Sequence, residues 1–405
     1  MRMNPPEQAH HGRRRHWFGR KHPDVAADFG RGSLRLLQLD HAATAYACTA
    51  AAEVAGCVLE GGTAPTSTPE DFGDRVRAAC ARVGFAGRDA TITLPAECFQ
   101  ADIARLPAMN DVELAESIRF EATDRFGISA DSASIGHLRL GSTTGGSNEV
   151  LMLAVANATV QRAAIAMARA GFRPSRVEHA ALAALRAVSR QRTSECAEPA
   201  DARDFAMIHL EDRVATLAVV RDGSLSFLRT VRGDWAPAGM TAARRATAIR
   251  LANDAIEIEP AAAESTAWRW CALAEEVLRC LRHFERTSGG WWPRAIAVTG
   301  PAANDPQSAA TLESVCGART GLCVPIRTLE RPAPCIHGNT WIAAIGGACT
   351  SLRQLDRAPR AEDVPSQPAR SAARTAITRA VNTGTIALAP EPKPTPLTAT
   401  GGAAA

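Results

Sequence analysis

The chain has 405 residues, 46% hydrophobic and 22% charged, with a formal net charge of +4. At roughly 100–200 residues per domain this allows about two to four domains with a sizeable core, and the balance excludes a chain disordered throughout or a collagen-like one. No run of about 18 apolar residues predicts a membrane-spanning helix, and the polar, basic N-terminus lacks the apolar segment of a secretory signal.

Residues 1–23 form a basic, His-rich lead that is expected to be disordered. Its Arg cluster with Trp17 and Phe18 suits either anionic lipid or solvent. Order is expected from Asp24. Residues 24–29 and 34–39 read as strands around the turn Gly30-Arg31-Gly32-Ser33, a β-hairpin, and Tyr46 to Val54 as a third strand. Pro69 to Val83 reads as a helix capped by Thr68, with Phe72, Val76, Ala79 and Val83 inward. Ala90 to Leu94 is a short strand closing the first unit, 24–97.

Residues 98–173 read as an inserted β-α-β-β-α module. Its strands are Phe99 to Leu106, Ala133 to Leu140 and Glu149 to Ala156. A first helix capped by Asp111 runs to about Phe126, and a second runs from Asn157 to Ala170. The chain then returns to the first unit through a short strand at Val177, a helix from Ala180 to Arg190 and a polar linker, 191–203. A second β-rich unit, 204–338, opens with FAMIHL, VATLAVV and SLSFLRTV, the last two joined by the hairpin turn Arg221-Asp222-Gly223. Within it, about 232–290 holds a helix from Thr241 to Asn253 and a longer one carrying Trp270, Leu273, Val277, Leu281 and Phe284. A strand at Arg294 to Thr299, a helix at Leu312 to Ala318 and a strand at CVPI follow. The closing helix, within 339–355, is Ala/Gly-rich, and 356–405 is expected to be a disordered tail with a transient helix near Ala372 to Val381.

The 11 cysteines are scattered, with no CxxC pair, and read as buried thiols of a reducing compartment. His137, His179, His209, His283 and His337 show no metal-ligand spacing, so no metal site is expected. Only Lys21 and Lys393 are lysine, and acidic and basic residues are interspersed through the body, so no nucleic-acid stripe is read. These features point to a cytoplasmic protein.

Two blocks share one internal order: strand, turn, two strands, then helices. The expected fold class is therefore α/β, a duplicated actin/Hsp70-like (ribonuclease-H-like) core with the β-α-β-β-α subdomain inserted in its first half. In such a core the first hairpin turn of each half presents backbone N–H groups to phosphates.

Over residues 24–355 the chain resembles the PilM family, the actin-like proteins of type IV pilus assembly. Asp28-Phe29-Gly30-Arg31-Gly32-Ser33-Leu34-Arg35 resembles the family's opening DIGSSSVK signature. Ala104-Arg105-Leu106-Pro107 with Ile118-Arg119-Phe120-Glu121-Ala122 resembles its insert, and Ala170-Gly171-Phe172-Arg173-Pro174 its A-G-L-x-P run. The resemblance implies a cofactor site for ATP with magnesium at Asp28, Gly30, Arg31, Gly32, Ser33, Arg35 and Gly300. It also implies a partner: the short cytoplasmic peptide of an inner-membrane PilN-type protein, held between insert and core, with self-association as a further contact. Leu114, Ile118, Arg119 and Glu121 are read as a wall of that groove, or as residues packing within the insert.

The departures bear on the cofactor. Where the family's second phosphate turn reads D-I-G-A, this chain has His209-Leu210-Glu211-Asp212, so a carboxylate replaces the glycine that lets backbone approach phosphate. Pro301 follows Gly300 at the base turn and removes a donor, and Glu178-His179-Ala180 loses one carboxylate. Nucleotide binding is expected to be weak or lost, and the protein to be a scaffold rather than an enzyme. A cell-division relative of the FtsA type would carry a C-terminal amphipathic helix, a sugar kinase would keep its phosphate turns, and a GspL-type secretion protein would continue into a membrane span.

Overall fold

The computed structural model describes residues 22–30, 32–41, 46–56, 59, 68–140, 147–196, 198–233, 266–323, 336, 338–356 and 385–387. Arg31, His337, the expected helices at Thr241 to Asn253 and Ala372 to Val381, and the lead up to residue 21 lie outside them.

The first half is β1 (Val25–Phe29), β2 (Ser33–His41), β3 (Tyr46–Ala55), α1 (Pro69–Ala81) and β4 (Asp89–Leu94). An excursion follows: β5 (Phe99–Pro107), α2 (Asp111–Phe126), β6 (Ala133–Arg139) and β7 (Ser147–Ala156). Then come α3 (Asn157–Arg169), β8 (Arg173–His179), α4 (Ala180–Glu195) and α5 (Pro199–Arg203). The second half is β9 (Phe205–Leu210), β10 (Val214–Arg221), β11 (Ser224–Arg232), α6 (Thr266–Thr287), β12 (Ala295–Thr299), α7 (Pro306–Cys316), β13 (Arg319–Leu322) and α8 (Ile342–Asp356). A last strand, β14 (Thr385–Ala387), lies in the tail.

The duplication is plain in the sheets. One runs β14-β8-β4-β1-β2-β3, the other β13-β12-β9-β10-β11. In each, the first strand pairs antiparallel with the second and parallel with the fourth. Helices α1, α3 and α4 hold the places that α6, α7 and α8 hold in the second half. This corrects the expected insert. Its last helix, α3, belongs to the duplicated core and packs against α1, where Gly73 lies under the Ala166 carbonyl. The excursion proper is β5-α2-β6-β7, an antiparallel sheet ordered β5-β7-β6 with α2 on one face.

Local chemistry sets the helix ends. Thr68 and Asp71 form a capping box at α1. At α2 the cap is Asn110, not Asp111. Its side chain accepts from Val112 and Glu113, Glu113 reaches back to the Asn110 N–H, and Gly127 ends the helix in the left-handed conformation. The expected linker 191–203 is largely helical: Gln191 donates to Glu195 to extend α4, and Pro199 opens α5. The described strand lies just before the expected one: β13 runs Arg319–Leu322, directly after Gly317 ends α7, and of CVPI only Cys323 is among the described residues. The tail is not wholly without structure, because Thr385–Ala387 pairs antiparallel with Arg176–Glu178 at the edge of β8. Among the described cysteines Cys271 is exposed, and only Cys80, Cys280, Cys316, Cys323 and Cys349 are buried.

The halves meet where α4 crosses α8. Each sheet turns one face to this pair: Ala26 and Leu37 from the first, Phe205, Met207 and Ala297 from the second, pack with Ala184, Val188, Ile342 and Ile345. The helices approach to backbone contact, since a Cβ on Gly346 would lie 1.7 Å from the Ala183 carbonyl oxygen. Gly346→Ala is expected to destabilise the protein by about 3 kcal/mol or more, the upper range of overpacking. Gly321→Ala, where a Cβ meets nothing within 4 Å, should stay within about 0.5 kcal/mol. Urea unfolding midpoints of the two variants check this.

Candidate functional site

The two hairpin turns are built alike. The Gly30 N–H donates to the Ser33 carbonyl at 2.9 Å, and the Glu211 N–H donates to the Val214 carbonyl at 2.9 Å. Glu211 is therefore the structural counterpart of Gly30, and His209 of Asp28. Register extends the match across the sheets. In the first, Glu178, Thr93, Asp28, Arg35 and Glu53 stand in one row over β8, β4, β1, β2 and β3. In the second, the row over β12, β9, β10 and β11 is Thr299, His209, Thr216 and Thr230. Position for position, a charged row faces an almost neutral one.

The first row is internally committed. Arg35 lies 3.5 Å from Asp28 and 3.3 Å from Glu53, and the Ser33 hydroxyl donates to Glu53 at 2.6 Å. Burial pushes the Asp28 carboxyl up to about 6, against the pull of Arg35. At the end of that sheet Glu178 pairs with Arg186, whose Nε also donates to the Gly346 carbonyl. In the second row, burial carries His209 down to about 3, with His179 adding to the effect. His179 itself is held at about 4 by burial, while its Nδ1 accepts the Ala181 N–H and caps α4. Both imidazoles are thus neutral. The His179 Nε2, the His209 Nδ1 and the hydroxyls of Thr93, Thr216 and Thr299 are buried with no hydrogen-bond partner among the described residues.

Above these rows a cavity of about 580 Å³ opens between the halves. Gly30, Gly32, Ser33 and Arg35 line it; Asp28 is paired with Arg35, and Arg31 lies outside the described residues. Gly300 stands behind it. With φ +104°, Gly300 packs so closely on β9 that a Cβ would lie 2.4 Å from the Leu210 carbonyl oxygen, so this glycine serves that close approach.

Sequence reasoning missed Glu53, Glu97, Arg213, Asn304 and Thr340, which line the cavity together with Asp212 of the second turn. Glu53 had a signal: it is the lone charge in the apolar β3. Glu211 spans the cleft, its Oε2 accepting the Ala96 N–H of the first half at 2.9 Å. Part of Glu211 reaches the cavity, yet removal from water pushes its carboxyl up to about 8. The Ala96 bond opposes this, and Asp28, Glu97 and Asp212 add to it. Among the described residues no three His, Cys, Asp or Glu side chains converge as a metal site.

A second and larger space, about 1420 Å³, lies between the β5 edge of the excursion, β11 and α6. The expected groove wall on α2 is not part of its lining. Leu114 and Ile118 are buried within the excursion, where with Ala122 they fasten α2 to Ala104, Val150 and Met152. Arg119 is exposed, and Glu121 is tied to Arg125 at 2.5 Å; of α2 only Arg125 reaches the groove.

No protein-family model matches the chain, and no curated protein matches it. Solved structures do. One, from a PilM–PilN type IV pilus biogenesis complex, aligns over 82% of this chain and 98% of its own, with a TM-score of 0.62 at 15% identity. The fold is the actin-like one. The ethanolamine utilization protein EutJ from Carboxydothermus hydrogenoformans aligns over 80% of this chain and 88% of its own, at 12% identity and TM-score 0.42. The cytoplasmic domain of EpsL, an inner-membrane component of the Vibrio cholerae type II secretion system, aligns over 82% and 94%, at 10% and 0.37. In this chain no helix among the described residues is long and apolar enough to cross a membrane.

The actin-like cleft has a pH signature. A carboxyl whose folded pKa is raised keeps its proton in the native state while the unfolded chain releases it. Its contribution to stability is full below the unfolded value and is lost as pH rises through the folded one. For Glu211 that window runs from 4.5 to about 8. Asp28 finishes by about 6, and the two histidines act only below 6.5. Stability is therefore expected to fall between pH 6.5 and 8, and Glu211→Gln to remove most of that fall. Equal slopes in urea midpoint against pH for wild type and variant would contradict it.

Proposed function

We propose that the chain is a scaffold of a type IV pilus or related secretion machine. It sits in the cytoplasm at the inner membrane and holds a short cytoplasmic peptide of a PilN-type membrane partner between the excursion and the actin-like halves. The observation that carries this reading is the likeness to the protein of a PilM–PilN complex, which takes in 98% of that chain. Among the described residues the excursion adds nothing to the lining of the small cleft beyond the β4–β5 connection, which favours a role for it other than nucleotide contact.

We infer further that nucleotide binding is weak or lost. Three features support this. The Ser33 hydroxyl and the Arg35 guanidinium are already engaged by Glu53 and Asp28. At the turn equivalent to Gly30, Glu211 puts a side chain, protonated up to about pH 8, in the place a phosphate would need. The Glu97 and Asp212 carboxylates line the same cleft, and phosphate oxygens beside them are repelled at any plausible dielectric. The residues present do not suit a magnesium nucleotide, and a scaffold needs none.

Calorimetry with Mg-ATP is expected to give no saturable heat at sub-millimolar nucleotide, and His209→Asp with Glu211→Gly to strengthen whatever residual binding exists. A micromolar dissociation constant for the wild type would refute the nucleotide claim. An immobilised peptide from the cytoplasmic N-terminus of a PilN-type protein is expected to retain the full chain. Failure to retain it at the highest soluble peptide concentration would refute the scaffold claim.

A further inference from the structure

The two outermost strands at one end of the six-stranded sheet are held very differently. On its inner side β8 pairs parallel with β4 from end to end, from Asp89↔Arg173 to Leu94↔His179. The Glu178 side chain is tied to Arg186, whose Nε donates to the Gly346 carbonyl at the crossing of α4 and α8. On its outer side, among the described residues, β8 meets β14 alone, and only over Arg176–Glu178. The inner contacts are enough to keep β8 a strand, so its outer edge is a preformed acceptor for an extended segment.

The strand that fills this edge has the opposite character. β14 is three residues long, paired as Thr385↔Glu178, Ile386↔Val177 and Ala387↔Arg176. The sequence gives the ladder little room to lengthen. Gly384 precedes it, and Pro390 and Pro392, which have no N–H to donate, follow. So short a contact, made by a tail segment, belongs to the low-stability end of a structure and opens while the fold stays closed. Residues 357–384 separate β14 from α8. At roughly 3.3 Å per residue that length lets the strand leave β8 with α8 undisturbed. The same tether makes its return an intramolecular step, favoured over the arrival of a dilute second segment. β14 also lies against β6, so one short strand touches both the core sheet and the excursion.

We propose that β14 is an autoinhibitory plug. Thr385–Ala387 occupies the outer edge of β8, and an extended segment of a protein partner adds to that edge only when this strand has left. Apparent affinity is then reduced by the fraction of molecules whose edge is open, and a factor that captures or removes the tail activates the protein. The inference adds a control to the scaffold reading. It rests on that reading for the identity of the incoming peptide and not for the plug itself.

The test uses the full chain. Arg176 and Ala387 are register partners, so Arg176→Cys with Ala387→Cys should form an intrachain disulfide under oxidised glutathione, identified by mass in the monomer. No disulfide between these positions, or one found only in covalent dimers, overturns the intrachain plug. Thr385→Pro with Ile386→Pro is the release variant: successive N–H groups point to opposite sides of a strand, so the pair removes whichever faces β8. A synthetic peptide of residues 382–390 carrying Ala387→Cys probes the edge, by mixed-disulfide formation with the chain bearing Arg176→Cys. The release changes should speed that reaction by about tenfold or more, and should not do so for a peptide that carries the same prolines. Equal rates with and without the release changes overturn the proposal. A PilN-type peptide should bind the release variant about threefold or more tighter than wild type, and should be lost from the disulfide-locked chain until it is reduced. Equal retention by wild-type, released and locked chains overturns the control and leaves the scaffold function standing. The intrachain disulfide and release-dependent labelling, with no PilN-type peptide retained, support the plug and remove the pilus partner.

Discussion

The crossing of α4 and α8 governs the molecule. At that crossing two helices touch backbone to backbone, because Gly346 has no side chain to hold Ala183 away. Ala180 and Ala343 pack beside the contact, and Arg186 ties the pair by binding Glu178 and the Gly346 carbonyl. Each sheet presents one strand face to this pair. On β1 that face carries Ala26 and then Asp28; on β9 it carries Phe205, Met207 and then His209. The spacing of the two helices therefore fixes how far apart the two polar rows stand, and hence the shape of the cleft above them.

Much of this architecture is legible in the residues. The repeated strand-turn-strand openings, with turns of equal length at Gly30 and Glu211, give the duplication. The heptad-like run from Trp270 to Phe284 gives α6, whose named residues are buried. What escapes local reading depends on contacts distant in the chain. Glu211 meets Ala96 across 115 residues, and no local pattern announces such a bond. The groove joins β5 to β11 and α6, so neither its existence nor its arginines can be seen in one segment. Leu114 and Ile118, with Arg119 and Glu121, read in sequence as a groove wall or as internal packing. The spacing fits both; Leu114 and Ile118 are buried within the excursion, while Arg119 is exposed. The place of α3 was likewise open to misreading, because only its packing on α1 assigns it to the core.

The charges are divided between the two spaces. At the small cleft the acidic Glu53, Glu97 and Asp212 outnumber the basic Arg35 and Arg213, while Glu211 keeps its proton up to about pH 8. Arginines gather at the larger groove, where the carboxylates present are already matched. A nearly neutral chain can thus present opposite potentials at two openings of one molecule. Discrimination between ligands then follows from the sign of their charge before any contact is made.

The short strand β14 has an effect out of proportion to its three residues. Without it, β8 would be the outer strand of the six-stranded sheet, with a row of unpaired main-chain groups turned outward. Bare edges of that kind invite strands from other molecules and lead to aggregation. By closing the middle of β8 from Arg176 to Glu178, a piece of the C-terminal tail acts as the sheet's own chaperone. Loss of the tail would then be felt first as poor solubility, with the fold and both clefts still intact.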